Sequence, residues 1–170
     1  MVQEHRHAIT RYGIRRLADQ TAVEDLVAET FVVAFRHRAN FPSPQEEIFW
    51  LYGIARRLLA NQVRGQHRLL RLERRLAFER ESQREEPRFT EDDLATLVYA
   101  LGELDPDDRE LLYLSYWERL DYRGLGIALG CSAKAAGVRL TRVRGKLREI
   151  LRDSPEGVVA ITQQSKENLL

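Results

Sequence analysis

YRGLGIALGCSAKAAGVRLTRVRGKLREIL, residues 122–151, decides the fold. Leu125, Ile127, Ala128 and Leu129 supply a short apolar helix. Gly130 offers the left-handed conformation that a tight helix exit needs. The Ser132 hydroxyl is placed to cap a second helix. That helix has its own period. Ala136, Leu140, Val143, Leu147 and Ile150 recur at spacings of four, three, four and three, a single apolar stripe on an α-helix. The stretch therefore reads as helix, short turn, helix, a motif whose second helix often enters the DNA major groove.

The second helix is strongly cationic. Arg139, Arg142 and Lys146 flank its apolar stripe on one side, Arg144 and Arg148 on the other. Its opposite face carries Lys134, Ala135, Val138, Thr141 and Gly145. Small side chains there would let the helix approach a groove floor, while the flanking cations meet phosphates. A solvated basic face on any helical bundle would look similar. The tight turn before this helix tips the reading towards DNA.

Net charge hides a strong pattern. The 170 residues sum to +1 at pH 7, with 44% hydrophobic and 31% charged residues. Between Trp50 and Arg75 stand Arg56, Arg57, Arg64, Arg68, Arg71, Arg74 and Arg75, against one acid, Glu73. The sign then inverts at Glu79, Glu81, Glu85 and Glu86, and again at Glu91, Asp92 and Asp93. From Ser132 to Arg152 the chain is basic once more, a basic–acidic–basic order suited to two nucleic-acid surfaces.

A single cysteine, Cys131, excludes an internal disulfide and a cysteine-based zinc site. The four histidines show no ligand spacing with it, so no metal and no cofactor are expected. No Gly-rich phosphate loop or nucleophile–base motif points to an enzyme. No signal peptide is read at the start and no apolar run suits a bilayer, so the expectation is a cytoplasmic protein with no membrane partner.

Helix start signals recur along the chain. Thr21 to Glu24 and Ser43 to Glu46 have the capping-box pattern, and Thr90 to Asp93 resembles it. Asp105-Pro106 joins an Asp cap to a first-turn Pro, and Asp121 can cap the helix of the opening stretch. Helices are expected at 4–18, 22–38, 44–75, 91–102, 106–118, 122–129 and 133–151, without strands. The stretch from Glu79 to Arg88 has too little apolar surface to offset the entropy of ordering it. The fold class is thus all-α: two small helical domains, 1–75 and 91–152, joined by a flexible linker at 76–90, with a tail at 153–170 of no assigned role.

The helix expected from Pro44 has a core face of Ile48, Leu51, Tyr52, Ala55, Leu58, Leu59 and Gln62. Opposite, Trp50, Arg57, Asn61, Arg64 and Arg68 form a stripe at spacings of seven, four, three and four. An indole can stack on an unpaired base, arginines neutralise phosphate, and Asn can pair with a base edge. The helix from Thr21 buries Val23, Leu26, Val27, Phe31, Ala34 and Phe35, and turns Glu24, Asp25, Ala28, Glu29 and Val32 outward. Acids in its first turn suit the helix dipole. Glu29 lies deeper and gains less from it, so an acidic face beside Val32 reads as a protein-docking surface.

Three segments together, VEDLVAETFVVAF, FWLYGIARRLLANQVR and ELLYLSYWERLDYRGLGIALGCSAKAAGVRLTRVRGKLREIL, resemble the extracytoplasmic-function (group four) sigma factors of bacterial RNA polymerase. The likeness covers residues 4–152 in the family's order and spacing. It implies that Asp25 to Phe31, with Leu26, Ala28, Glu29 and neighbouring Val32, dock on core RNA polymerase at its clamp coiled coil. It implies that the loop at Phe41 and the stripe Arg57, Asn61 and Arg64 melt the minus-ten element of promoter DNA and hold a flipped base. The second domain would read the minus-thirty-five element as duplex, and an anti-sigma factor is a further partner such families commonly have.

Departures from the family pattern are specific. Ala28 stands where Gln is usual, Arg57 where Asn is common, and Lys134-Ala-Ala-Gly137 replaces Gly-Thr-Val-Lys. Gly137 costs the helix about 1 kcal/mol relative to Ala. A reading from another class is a helix-turn-helix regulator that binds duplex operator without docking on polymerase. It accounts for the C-terminal half alone.

Overall fold

A computed structural model of the chain describes residues 2–37, 43–66 and 91–153. Among them are seven helices: α1 (Val2–Ile14), α2 (Gln20–Arg36), α3 (Glu47–Gln66), α4 (Glu91–Glu103), α5 (Pro106–Tyr116), α6 (Tyr122–Leu129) and α7 (Ala133–Asp153). The described residues are all-α, as expected. The linker expected at 76–90, most of the tail, and the site residues Phe41 and Arg68 lie outside the described residues.

Several caps form where the side-chain chemistry places them. Asp105 accepts from the Asp107 amide at 3.1 Å, with Pro106 opening α5. Asp121 accepts from the Gly124 amide at 2.7 Å, and the Ser132 hydroxyl accepts from the Ala135 amide at 3.1 Å. Two expected starts move. Helix α2 is capped by Asp19, whose carboxylate accepts from the Ala22 amide at 3.0 Å, so Thr21 lies inside the first turn. Asp19 lies two residues upstream and has the extended backbone that a cap requires. Before α3, the Ser43 hydroxyl donates to the Glu46 carboxylate at 3.0 Å. Residues 44–46 form a turn and the helix begins at Glu47.

The described residues belong to two compact units. The first comprises Met1–Arg84 and Leu120–Ala136, the second Glu85–Arg119 and Gly137–Leu170. In the first, Ile9, Tyr12, Val23, Leu26, Leu51 and Ala55 are buried with little or no exposure. Each large apolar side chain removed from water this way contributes about 1.5–3 kcal/mol. The Tyr12 and Tyr52 rings meet at 5.6 Å, joining α1 to α3, and the Arg16 guanidinium lies 3.6 Å over Tyr12. Thr30, buried in α2, satisfies its hydroxyl by donating to the Leu26 carbonyl at 2.7 Å.

Helix α3 is buried on a second side that its apolar pattern did not announce. A β-carbon on Gly53 would lie 2.8 Å from the Ala128 carbonyl oxygen, so the absence of a side chain lets α6 seat directly on α3. Phe49 closes the same contact, its ring 3.0 Å from the position of a Gly124 β-carbon. Ile54, absent from the expected core face, is buried as well.

The second unit buries Ala100, Leu104, Leu111, Leu112 and Leu114 of α4, α5 and their junction with Leu140 and Val143 of α7. Arg109 ties α5 to the end of α4. Its Nε donates to the Leu101 carbonyl at 2.6 Å and its Nη2 to those of Gly102 and Leu104 at 2.9 Å each. These are carbonyls that a helix end leaves without intrahelical partners. Tyr113 and Trp117 stack at 4.1 Å, and Lys146 pairs with Asp108.

Candidate nucleic-acid interface

The turn of the opening stretch is built as its residues require. Gly130 has φ +70°, and the Cys131 amide donates back to the Gly126 carbonyl at 2.8 Å, closing α6. With Ser132 capping the next turn, only three residues separate the end of α6 from the start of α7. Ala136, Leu140 and Val143 are buried, and Leu147 and Ile150 half-buried, so the apolar stripe faces the protein. That leaves Lys134, Ala135, Val138, Arg139, Thr141 and Arg142 exposed on one surface, with Val138 at 45% exposure. The small residues and cations thus share one solvent-facing side of α7, as major-groove entry requires.

On α3, Trp50, Gly53, Arg57 and Asn61 succeed one another at spacings of three, four and four, one face of the helix, with Glu46 in the turn just before it; the Arg64 side chain lies outside the described residues. Arg57 and Asn61 are exposed. Trp50 is half-buried rather than fully open as its place in the stripe suggests, and it makes contacts of its own. The Arg57 Nη2 lies 3.6 Å from where a β-carbon of Gly130 would stand. At the entry to α3, Arg123 donates from Nε and Nη2 to one Glu46 oxygen, at 3.1 and 2.7 Å. Arg123 first, and the Ser43 hydroxyl second, hold the Glu46 carboxyl below its ordinary value.

On α2, Asp25, Ala28, Glu29 and Val32 all face solvent, Val32 at 48% exposure. Leu26 does not, being fully buried; its side chain holds α2 in the core and is not presented to a partner. Phe35, expected in the core, is 61% exposed. Counting from Ala28, Val32 and Phe35 lie four and seven residues on, so Phe35 extends the outward face by one turn. Its place on the border of the apolar stripe made core and surface equally compatible with its spacing.

Among the described residues no cluster of His, Cys, Asp and Glu could hold a metal ion, and no helix is long and apolar enough to cross a membrane.

Comparison with known proteins agrees with this geometry. Sigma-70 region 2 matches residues 1–69, and Sigma-70, region 4 matches residues 94–147. The RNA polymerase sigma factor CarQ of Myxococcus xanthus is 31% identical over 153 residues, covering 86% of this chain and 85% of CarQ. The ECF RNA polymerase sigma factor SigE of Mycolicibacterium smegmatis is 30% identical over 155 residues, covering 89% of this chain and 60% of SigE. Among solved structures, the sigma factor RpoE of Bartonella quintana, crystallised with the anti-sigma factor NepR, shares the fold. Its TM-score is 0.56 at 23% identity, over 89% of this chain and 96% of RpoE. A regulator that binds only duplex operator would explain the match at 94–147 but not the one at 1–69. Two sigma regions in order, an outward acidic face on α2 and a helix-turn-helix ending in a basic α7 have one common meaning: the chain belongs to the extracytoplasmic-function sigma factors, promoter-specificity subunits of RNA polymerase.

Proposed function

We propose that the chain divides this work among three surfaces. The exposed α2 face of Asp25, Ala28, Glu29, Val32 and Phe35 docks on core polymerase, with Leu26 beneath it as support. Phe41, Trp50, Arg57, Asn61, Arg64 and Arg68 engage the melted minus-ten strand. Lys134, Ala135, Val138, Arg139 and Arg142 engage the minus-thirty-five duplex. The functional domains are 1–75 and 91–152, with 76–90 as the tether. The chain acts as a binding subunit in the cytoplasm, and the polymerase supplies the chemistry. An anti-sigma partner fits this reading, because RpoE, which shares the fold, was crystallised with one.

The observation that carries the strand-opening role is Asn61, exposed one turn beyond exposed Arg57 on a helix whose residues Leu51 to Ala55 are buried in the core. Extruding a base from duplex costs a few kcal/mol of stacking and pairing, which a pocket must return. Asn presents both a donor and an acceptor to a base edge, and an adjacent Arg can hold the neighbouring phosphate. Asn61→Ala should leave polymerase binding and closed-complex formation intact and reduce strand opening, read by permanganate reactivity of unpaired thymines. A promoter pre-melted over the minus-ten region should restore part of the loss. Unchanged opening of duplex promoters, or a defect that pre-melting does not relieve, would remove Asn61 from this role.

A further inference from the structure

Val138 stands directly across α7 from its buried stripe. Ala136, Leu140 and Val143 face the core, and successive residues of an α-helix turn by about 100°, which sets position 138 opposite their mean direction. The side chain is 45% exposed. Arg139 beside it and Arg142 four residues on are exposed cations. Thr141, three residues on and exposed, donates its hydroxyl proton to the Gly137 carbonyl at 3.0 Å. Its donor is thus committed to the helix, and a methyl remains. Gly145, seven residues on, has open space where a side chain would stand. Between the cations, then, Val138 and Thr141 offer methyl groups and no uncommitted donor.

In the major groove every base pair displays donors and acceptors, and thymine adds a 5-methyl group that apolar side chains can contact. Valine suits that contact. Its β-branching holds χ1 in one well within a helix, so its methyls are placed before DNA arrives and lose little freedom on binding. We infer that Val138, with the Thr141 methyl beside it, sets part of the minus-thirty-five specificity by reading thymine methyl groups. The inference rests on the proposed duplex role of α7. Arg139 and Arg142 hold flanking phosphates and fix the register, while Val138 and Thr141 discriminate sequence without a hydrogen bond. Removing one methyl-sized group from water is worth about fourfold in affinity, so each thymine read this way carries about three- to fivefold.

The test uses the full chain bound to core polymerase. The preferred minus-thirty-five duplex is first selected from a randomised library. Each thymine of that element is then replaced in turn by uracil, which removes the 5-methyl and leaves base pairing and the groove donors and acceptors in place. At one or more thymines uracil should lower affinity about three- to fivefold. Val138→Ala should lower affinity for the thymine duplex by a similar factor and abolish the response to uracil at one of those positions. Alanine is the better helix former, so the variant keeps α7. Thr141→Ser retains the hydroxyl bonded to Gly137, removes only the methyl, and should weaken the response at the same or the neighbouring thymine.

Salt dependence separates this role from phosphate binding. Val138→Ala should leave it unchanged, whereas Arg142→Ala should reduce it by about one counterion. Affinity indifferent to uracil at every thymine, or a selected element without thymine, overturns the inference. So does a uracil response that persists undiminished in Val138→Ala, because the methyl is then read by another residue. Binding of a scrambled minus-thirty-five duplex as tightly as the selected one marks a different failure. In that case α7 reads no duplex sequence at all, and the inference falls with that reading.

Discussion

Gly126 and Cys131 lock the turn of the helix-turn-helix from both sides. The Cys131 amide donates to the Gly126 carbonyl at 2.8 Å, and a β-carbon on Gly126 would lie 2.8 Å from the Cys131 carbonyl oxygen. The turn closes over α6 only because that position has no side chain. The conformation of the turn from Gly130 to Ser132 is therefore a packing consequence of one glycine.

Gly126→Ala should lose this closure. Alanine gains about 1 kcal/mol of helix propensity, but overpacking against backbone costs about 1–3 kcal/mol and Gly126 is buried among rigid neighbours. Urea unfolding should show a net loss of stability, with duplex affinity falling and polymerase capture through α2 retained. Unchanged duplex binding would mean that the turn relaxes without moving α7.

Arg109→Lys should destabilise the second unit. The planar guanidinium satisfies the Leu101, Gly102 and Leu104 carbonyls together, a fork that one ammonium cannot reproduce. Losing one or two charge-assisted bonds at a helix end predicts about 1–3 kcal/mol, read as a lower unfolding midpoint. A midpoint within error of the parent would show that solvent replaces the fork at no cost.

Glu29→Arg should weaken core polymerase binding with little change in melting temperature. Glu29 is exposed on α2 while Leu26 and Thr30 on either side are buried, so reversal changes the surface and spares the packing. Surface substitutions of this sort usually move stability by no more than about 0.5 kcal/mol. Fluorescence anisotropy against core enzyme measures the binding, and equal affinity would remove Glu29 from the docking face.

Two classes of α7 residue should separate in duplex binding. Arg139→Ala should lower affinity evenly across promoter sequences and reduce the salt dependence by about one counterion, if it neutralises a phosphate. Lys134→Ala or Ala135→Ser, at the exposed N-terminal end of α7, should instead change which minus-thirty-five sequences bind. Selection from a randomised duplex library, repeated at two salt concentrations, distinguishes them. Identical, sequence-independent losses at all three positions would leave base reading to residues outside this helix.

Local chemistry determined much of this protein before any packing was considered. The caps at Asp105, Asp121 and Ser132, the left-handed Gly130 and the stripe from Ala136 to Val143 are interactions within a few residues, so their signals lie in sequence order. The outward faces of α2 and α7 came from periodicity for the same reason. Only tertiary structure decided the rest. Asp19 displaced Thr21 as the cap of α2, and Phe35, at the border of its stripe, is exposed rather than buried. Gly53 shows the limit most plainly. Within α3 it reads as a weak helix residue, and its meaning comes from Ala128, seventy-five residues away. A missing side chain carries no pattern of its own, and the partner it admits is chosen by the folding of the whole unit.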